Sequence, residues 1–271
     1  PQSITTVVAT QFQLNTPQGS VSSVTPPPIP VDAGWYDEGT QVRVVYDYAW
    51  SIEGGQSRLN SVGYDVDGGA IVTLPRSGDG TFAITTVMDG THTINVAAVV
   101  QYLFAVSGES STRLSPASPT GDGFYDSGSA ATATTEHTWN VVGGESRQNL
   151  LSYTLDGKTT EVMRVDSGDF TTPAVEFDRY HVLVFNPVTQ YLITFQFTDD
   201  SGSSQIIPTG LRIESDGKIS DVTGLKAWLD SGTAFKLAVA LSRTVPLART
   251  ILASAPDTGI CRRSVSLIFT S

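Results

Sequence analysis

The sequence is poor in the residues that most catalytic and metal sites need. Cys261 is its one cysteine, and it has three histidines among 271 residues. A single cysteine cannot form a disulfide within the chain, so a disulfide-rich scaffold is excluded and packing must stabilise the fold. No apolar run approaches the roughly 18 residues of a membrane-spanning helix. The opening PQSITTVV lacks a basic segment followed by an apolar one, and we expect it to be a mature, processed end.

Basic residues are also scarce. Lys and Arg number 16 against 27 Asp and Glu, which gives a formal net charge of −11. The bases are scattered along the chain, so the patch that neutralises phosphate groups is missing. We therefore expect neither a nucleic acid partner nor binding to an anionic membrane surface.

The sequence does contain an internal repeat. GWYDEGT at residues 34–40 recurs as GFYDSGS at 123–129 and, incompletely, as WLDSGT at 228–233. A fixed period over many unlike residues indicates whole small domains copied in tandem. An offset of 89 superimposes the flanks of the first two motifs: Trp50 on Trp139, Arg58 on Arg147, Tyr64 on Tyr153, Asp67-Gly68 on Asp156-Gly157, His92 on His181, and Gln101-Tyr102-Leu103 on Gln190-Tyr191-Leu192.

Nearly every segment between turn signals predicts a β-strand. Stretches such as QVRVVYDYAW and TFAITTVM are rich in Val, Ile, Thr and aromatic residues, which is typical of strands. Breakers such as TPPPIP, EGGQS and DVDGG interrupt them at the spacing of a sandwich of roughly seven strands. We predict an all-β fold of tandem immunoglobulin-like β-sandwich domains at 11–100, 101–189 and 190–271, with an N-terminal extension strand at 1–10. The third domain is expected to be divergent and shortened.

The repeated motif is predicted to serve the core and its turns. In each copy the aromatic residues should pack at the edge of the core, while the aspartate and the glycine form a turn before the next strand. A tryptophan 15 residues after the first aromatic should be an equivalent, buried core anchor in both repeats. These roles are assigned to Trp35, Tyr36, Asp37 and Trp50 in the first repeat, and to Phe124, Tyr125, Asp126 and Trp139 in the second.

The sequence predicts no catalytic site and no cofactor, so we expect that the chain is not an enzyme. LDSGT at 229–233 and DTG at 257–259 resemble the paired signatures of aspartic proteases. However, Asp230 is the repeat equivalent of Asp37, and motifs so close in sequence cannot lie in two protease lobes. His92 and His181 share one repeat position and are expected to be structural, and His137 has no partner that would make it a catalytic base.

A metal site is not predicted either. DVDGG at 65–69 and DDSGSS at 199–204 could supply oxygen ligands to Ca²⁺. The second repeat has Thr154 in place of Asp65, and no glutamate follows at the spacing of a bidentate Ca²⁺ ligand. Hairpin turns are therefore the favoured interpretation. Cys261 is interpreted as a small core residue or an idle thiol rather than a reactive one.

The N-terminal stretch resembles the end of a repeat. SITTVVATQFQL at 3–14 aligns with TINVAAVVQYLF at 93–104, which ends one predicted sandwich and begins the next. An unpaired strand requires a sheet edge, so we predict that residues 1–10 insert into a neighbouring copy and build a head-to-tail homopolymer. Two alternatives stay open: the stretch extends its own first strand, or SVSLIFTS completes the third domain. The assigned polymerisation residues are Ile4, Thr6, Val8, Thr10 and Phe12.

The tandem motifs, together with LLSYTLDG, SGDFTTPAV and YHVLVFNPVTQYLITF, resemble repeat domains of archaeal secreted cell-surface proteins. This resemblance implies an extracellular β-rich protein of S-layer-like, adhesive or filamentous material. We therefore expect a structural subunit of an extracellular filament or surface layer at the cell surface. The alternative is a monomeric adhesin or glycan-binding module that uses exposed aromatics such as Tyr46, Tyr48 or Trp228.

Overall fold

The computed structural model describes residues 8–17, 19–29, 34–109, 111–197, 210–215, 218–222, 225–240, 251–254 and 266–270. Every regular element in these ranges is a β-strand, which confirms the prediction of an all-β fold. Within the same ranges no helix is long and apolar enough to cross a membrane.

The strands are numbered in chain order. The first twelve are β1 (Gln11–Asn15), β2 (Val21–Thr25), β3 (Trp35–Asp37), β4 (Gln41–Asp47), β5 (Ala49–Glu53), β6 (Ser57–Val66), β7 (Val72–Thr73), β8 (Thr81–Val87), β9 (His92–Ser107), β10 (Arg113–Ser115), β11 (Phe124–Asp126) and β12 (Ala130–Glu136). The next twelve are β13 (Thr138–Val142), β14 (Ser146–Leu155), β15 (Lys158–Glu161), β16 (Asp169–Thr171), β17 (Val175–Glu176), β18 (His181–Phe197), β19 (Arg212–Ser215), β20 (Lys218–Asp221), β21 (Lys226–Asp230), β22 (Phe235–Ala240), β23 (Ile251–Ser254) and β24 (Ser266–Thr270).

The chain divides into two compact units. The first comprises Pro1–Thr134, Leu155–Gly157 and Thr171–Val184, and the second comprises Thr135–Thr154, Lys158–Phe170 and Phe185–Ser271.

One layer of the first unit is a three-stranded antiparallel sheet in the order β2-β4-β8. In β4 the residues alternate between exposed and covered, with Val42, Val44 and Tyr46 all fully buried. This period of two is what a strand with one face on the core requires. The same alternation in β8 buries Phe82 and Ile84.

The facing strands of the first unit are organised around β9. Strand β6 pairs antiparallel with β9 from Val66 opposite Ile94 to Ser57 opposite Tyr102, and β5 and β7 pair with β6. Strand β1 pairs antiparallel with β3 and then, at Leu14, in parallel with the start of β9. The core between the two layers consists of Leu14, Tyr36, Val42, Val44, Tyr46, Phe82, Ile84, Met88, Ile94 and Val96.

The later strands of the first unit extend from the second half of β9. Strand β11 pairs antiparallel with β9, and the start of β18 runs parallel to its last residues, with His181 opposite Phe104. Phe104, Tyr125 and Phe177 are all buried. The rings of Tyr125 and Phe177 stack with centroids 4.4 Å apart.

The second unit contains the β13–β14 hairpin, the greater part of β18 and the strands that follow it. Strand β18 pairs antiparallel with β21 and β23. Strand β19 pairs with β20 and β22, and β24 runs parallel to β22. A second core is formed by Ile193, Phe195, Leu211, Ile213, Leu225 and Leu237.

The Asp-Gly pairs form the tight turns that the sequence predicts. Asp67 and Gly68 have φ of 58° and 71°, and Asp156 and Gly157 have φ of 49° and 82°. Positive φ at both central residues is the conformation of a type I′ turn, which aspartate tolerates and glycine favours. Asp156-Gly157 joins β14 directly to β15, whereas β6 and β7 pair at Gly63–Thr73 and Tyr64–Val72, so Asp67-Gly68 turns within a longer connection. The Gly68 N–H also bonds to Asp65 Oδ1 at 2.9 Å.

Candidate functional site: a repeated arginine–aspartate network

The three copies of the aspartate motif fold in the same way. Each forms a short strand that ends at the aspartate and is followed by a turn closed on the aspartate carbonyl. In each turn the glycine takes a φ of 78–81°, which favours glycine because it has no Cβ. A turn therefore precedes the next strand in each copy. The closing N–H groups belong to Thr40, Ser129 and Thr233, and they bond to Asp37, Asp126 and Asp230 respectively.

A glutamine on the adjacent strand faces each aspartate. Gln11, Gln101 and Gln190 are the cross-strand neighbours of the three aspartates in β3, β11 and β21. Each donates through Nε2 to the carboxylate, over 2.9, 2.9 and 3.0 Å respectively. The amide oxygen of each glutamine is thereby left to accept a hydrogen bond from another group.

In the second and third copies, an arginine binds the aspartate through two hydrogen bonds. Arg76 donates to both carboxylate oxygens of Asp126, over 2.9 and 2.6 Å. Arg164 does the same to Asp230, over 2.6 Å in both bonds. This fork-to-fork geometry is the strong, directional form of an ion pair.

The electrostatics of the two aspartates follow from these bonds. The hydrogen bonds from Arg76 lower the pKa of Asp126 most, and burial opposes them. The pKa of Asp230 is lowered by Arg164 in the same way. Both carboxylates are therefore held ionised and serve as fixed acceptors.

A second arginine completes each network by stacking on the motif aromatic. The Arg58 guanidinium lies 3.9 Å from the centroid of the Phe124 ring, and its Nε donates to Gln101 Oε1 at 2.9 Å. Both Arg58 and Gln101 are buried, with exposed fractions of 5% and 0%. A desolvated guanidinium over an aromatic face gains cation–π attraction, and the amide oxygen satisfies one of its donors.

Arg147 repeats this arrangement in the second unit. Its guanidinium lies 4.3 Å from the Trp228 ring centroid, and its Nε donates to Gln190 Oε1 at 2.8 Å. The carboxylate partners of the two stacked arginines differ. Arg58 pairs with Asp122 at 2.7 Å, whereas Arg147 pairs with Asp166 at 2.5 Å.

In each network an asparagine accepts a hydrogen bond from the arginine that binds the aspartate. This asparagine lies on the same strand as the stacked arginine. Arg76 Nε donates to Asn60 Oδ1, and Arg164 Nε donates to Asn149 Oδ1. Asn60 in turn donates to the Ser77 carbonyl at 2.6 Å. A cleft of about 120 Å³ lies beside Arg147 and is lined mainly by residues of the second network. It therefore belongs to this site and is not a separate one.

The first copy of the motif holds only half of this network. Trp35 occupies the position of Phe124 and Trp228, and Asp37 accepts from Gln11. Among the residues that the structure describes, no guanidinium stacks on Trp35 or pairs with Asp37. Asp37 is exposed, whereas its two counterparts are half-buried.

The edge of β1 beside this site is also open. At Gln101 and Tyr102, β9 pairs with β11 on one side and with β6 on the other. In the described part of the chain, Gln11–Gln13 of β1 pairs with β3 alone. Among the described residues, this copy therefore lacks the stacked guanidinium, the bidentate arginine and the second strand neighbour of the other two copies, while Asp37 keeps its bond from Gln11 and Trp35 is half-buried.

The predicted polymerisation residues are only partly described. Ile4 and Thr6 lie outside the described residues. Val8 is 86% exposed, and the Thr10 carbonyl accepts the Glu38 N–H at 2.8 Å. Phe12 pairs with Tyr36 across the strands and packs against the first core.

The two predicted tryptophan anchors differ in burial. Trp139 is 7% exposed, as expected of a core anchor. Trp50 is half-buried at the edge of the first core, so the expectation of equal burial is not met. Trp50 shares the first core with Tyr46 and Phe82, whose rings stack with centroids 5.5 Å apart.

The histidines at the shared repeat position hold aspartates of the hairpin turns. His92 Nδ1 lies 2.6 Å from Asp67 Oδ2, and His181 Nδ1 lies 2.7 Å from Asp156 Oδ2. The hydrogen bond that His92 donates to the Asp67 carboxylate is the largest cause that raises the pKa of His92. His137 is buried against Phe170, and its Nδ1 has no hydrogen-bond partner among the described residues.

The three aromatic residues that the adhesin alternative would use for glycan binding are buried or partly covered. Tyr46 is fully buried in the first core, and Tyr48 packs against the same core. Trp228 is covered by Arg147. Of the paired protease signature, Asp230 is committed to Arg164, while Asp257 and Cys261 lie outside the described residues, as does the 199–204 stretch.

The sequence contained a signal for part of this network. Arg58 with Arg147 and Gln101 with Gln190 stand at the 89-residue offset, but sequence reasoning gave them no role. Arg76 and Arg164 are one residue out of that register and were missed. Comparison of the chain with protein-family models, curated protein sequences and solved structures found no match.

Proposed function

We propose that this chain is a structural subunit of an extracellular filament or surface layer. In this proposal it is built from tandem immunoglobulin-like β-sandwich repeats and polymerises head to tail, by insertion of residues 1–10 into a neighbouring subunit. The extracellular location rests on the resemblance to archaeal cell-surface repeats. The observation that carries the assembly is the register of β1.

Strand β1 makes the same backbone hydrogen bonds to its motif segment as the middle of β9 makes to the second motif. The Thr10 carbonyl accepts from Glu38 just as the Val100 carbonyl accepts from Ser127, over 2.8 Å in both cases. The Leu14 N–H bonds to a glycine carbonyl as the Phe104 N–H does, over 2.8 and 2.9 Å. The stretch before Gln11 therefore corresponds to the first half of β9.

The first half of β9 is the part that pairs with β6 and fills a core. Ile94, the counterpart of Ile4, is fully buried between the layers of the first unit. A strand in this position exposes an apolar side chain unless another sheet covers it, and main-chain pairing with a sheet edge supplies both cover and hydrogen bonds. This supports donation of residues 1–10 to a neighbouring copy, with its third domain as the acceptor.

Electron microscopy and sedimentation of the purified chain test the proposal. We expect polymers from the unaltered chain and folded monomers after deletion of residues 1–9 or after Ile4→Asp, because a buried carboxylate opposes docking. The matched control is Ile71→Asp, which makes the same change at a residue that is 68% exposed and should polymerise normally.

Two results would contradict the proposal in different ways. Normal polymers from the deletion variant would refute strand donation but leave a structural role. A monomeric unaltered chain that binds glycans on an array would instead support the adhesin alternative.

A further inference from the structure

The two stacked arginines take their carboxylate partners from different parts of the chain. Asp122, two residues before the stacked Phe124, accepts from both terminal nitrogens of Arg58, over 2.7 and 3.0 Å. This carboxylate is therefore supplied by the second copy of the motif. Arg147 pairs with Asp166 at 2.5 Å instead, and Asp166 belongs to the same repeat as Arg147 rather than to the third copy of the motif.

Gly78 and Asp166 occupy the same place in their repeats. Each lies two residues after the arginine that binds the motif aspartate through both oxygens. The residue in between, Ser77 or Val165, accepts through its carbonyl from the asparagine of its network. At this place the first repeat therefore has no side chain, whereas the second has a carboxylate.

The absence of a side chain at Gly78 makes room for Asp122. A Cβ at Gly78 would lie 2.0 Å from Asp122 Oδ2 and 2.8 Å from its Cγ, far inside contact distance. Gly78 does not take a positive φ, so the carboxylate, and not the backbone conformation, excludes a side chain there. The Gly78 carbonyl also accepts from Arg58 Nη1 at 3.3 Å.

The second repeat has the reverse arrangement. Asp166 supplies the carboxylate from the position of Gly78, and the residue two before the stacked Trp228 is the exposed Lys226. Glycine is thus combined with aspartate in one network, and aspartate with lysine in the other. Each combination gives one carboxylate to its stacked arginine, whose side chain is 4% exposed in the first network and 8% in the second.

Both mixed combinations are unfavourable. If the third copy of the motif docked on Arg58, Lys226 would stand where Asp122 does, and the buried guanidinium would have no carboxylate, which is strongly destabilising. If the second copy docked on Arg147, Asp122 and Asp166 would compete for the same space beside one guanidinium. Two carboxylates at that distance also repel each other.

We propose that Gly78, Asp122, Asp166 and Lys226 determine which copy of the motif docks on which stacked arginine. Gly78 admits the second copy, and Asp166 rejects it in favour of the third. Such selection needs a penalty for the wrong partner as well as attraction to the right one. Tandem repeats are prone to pair out of order, within one chain or between chains. The inference does not depend on the proposed filament, because both pairings lie within one chain.

Exchanges between the two repeats test this selection at constant composition and net charge. The motif exchange combines Asp122→Lys with Lys226→Asp, and the partner exchange combines Gly78→Asp with Asp166→Gly. Either exchange alone creates two mismatches, so we expect each to raise the equilibrium constant of unfolding in urea at least about tenfold. The two exchanges together restore both matches and should recover most of this loss.

Refolding measures the pairing itself. After dilution from urea, resistance to a protease reports the fraction of chains that regain the native structure. This fraction should fall for either exchange alone and return to that of the unaltered chain for the combined exchange. A contact that contributes stability without selecting a partner would leave the recovered fraction unchanged, and that result would overturn the inference.

A smaller substitution tests the steric part in a chain with all its charges. Gly78→Ala should displace Asp122 from Arg58 and lower the urea midpoint. The matched control is Gly90→Ala, whose Cβ would meet no atom within 4 Å and which should leave the midpoint unchanged. Asp122→Ala added to Gly78→Ala should lower the midpoint little further, because Asp122 has already lost its place. Equal midpoints for the two glycine variants would contradict the exclusion of a side chain at Gly78.

The combined exchange gives the decisive result. Native stability and refolding in that variant, with both separate exchanges impaired, support the selection. Losses that simply add would overturn it, and so would a combined exchange that does not fold or separate exchanges that behave as the unaltered chain does.

Discussion

At the scale of single residues, the most informative contrast is between Asp126 and Asp37. They occupy the same motif position and accept from equivalent glutamines over 2.9 Å. They differ in one partner, because Arg76 binds Asp126 through both oxygens. The contribution of the arginine to stability can therefore be measured within one protein.

We predict that Asp126→Asn lowers the free energy of unfolding by about 1–3 kcal/mol. The substitution removes the charge that pairs with Arg76 and perturbs Gln101, which is fully buried, and leaving such groups poorly satisfied costs this order of energy. Asp37→Asn in the monomer should change it by less than about 0.5 kcal/mol, as a surface substitution does. Urea unfolding of both variants provides the measurement, and equal losses would show that the Arg76 pair contributes nothing.

At the scale of strands and hairpins, tryptophan burial distinguishes the two repeats. Trp139 in β13 is almost fully buried, while Trp50 in β5 is half-buried at the edge of the first core. The two residues are sequence equivalents, so their difference comes from the surrounding packing.

Trp139→Ala should therefore cost more stability than Trp50→Ala. Truncation of a large buried side chain costs about 3–5 kcal/mol, because it leaves a cavity and loses transfer energy. A half-buried tryptophan should lose roughly half of that. Thermal or urea unfolding compares the variants, and a loss of under about 1 kcal/mol for Trp139→Ala would place that ring on the surface.

The strands themselves were predictable from the sequence, and the network was not. Period-two patterns such as Val42, Val44 and Tyr46 report which face of a strand is buried, and Asp-Gly pairs such as Asp67-Gly68 report turns, because both signals are local. The bonds of Arg76 and Arg164 join residues 50 and 66 positions apart. Such pairs depend on which strands become neighbours, and composition and spacing do not encode this.

At the scale of the whole molecule, the two complete networks should make stability depend on acid pH. Hydrogen bonds from Arg76 and Arg164 hold the pKa of Asp126 and of Asp230 below its usual range. In the unfolded chain these carboxyls titrate near about 3.9. As pH falls, the unfolded chain takes up protons first, so the stabilisation is complete above that value and is lost as pH drops through the lower, folded pKa.

We expect the urea midpoint to fall between pH 5 and pH 2, by the linkage of about 1.4 kcal/mol for each unit of pKa difference. The double variant Asp126→Asn with Asp230→Asn should start lower at pH 6 and decline less steeply, because its native state has fewer carboxylates to protonate. Parallel pH profiles for the two proteins would contradict a role of these networks in acid sensitivity.

The long pairing of β6 with β9 also determines how the first unit would respond to tension. The ladder runs antiparallel from Val66 opposite Ile94 to Ser57 opposite Tyr102. If β9 is pulled lengthwise while β6 is held, the force is applied in shear, and the hydrogen bonds must break together. If the two strands are instead pulled apart from one end, the bonds open one after another under a much smaller force. A fibre that transmits tension along such strands would resist stretching without any covalent cross-link.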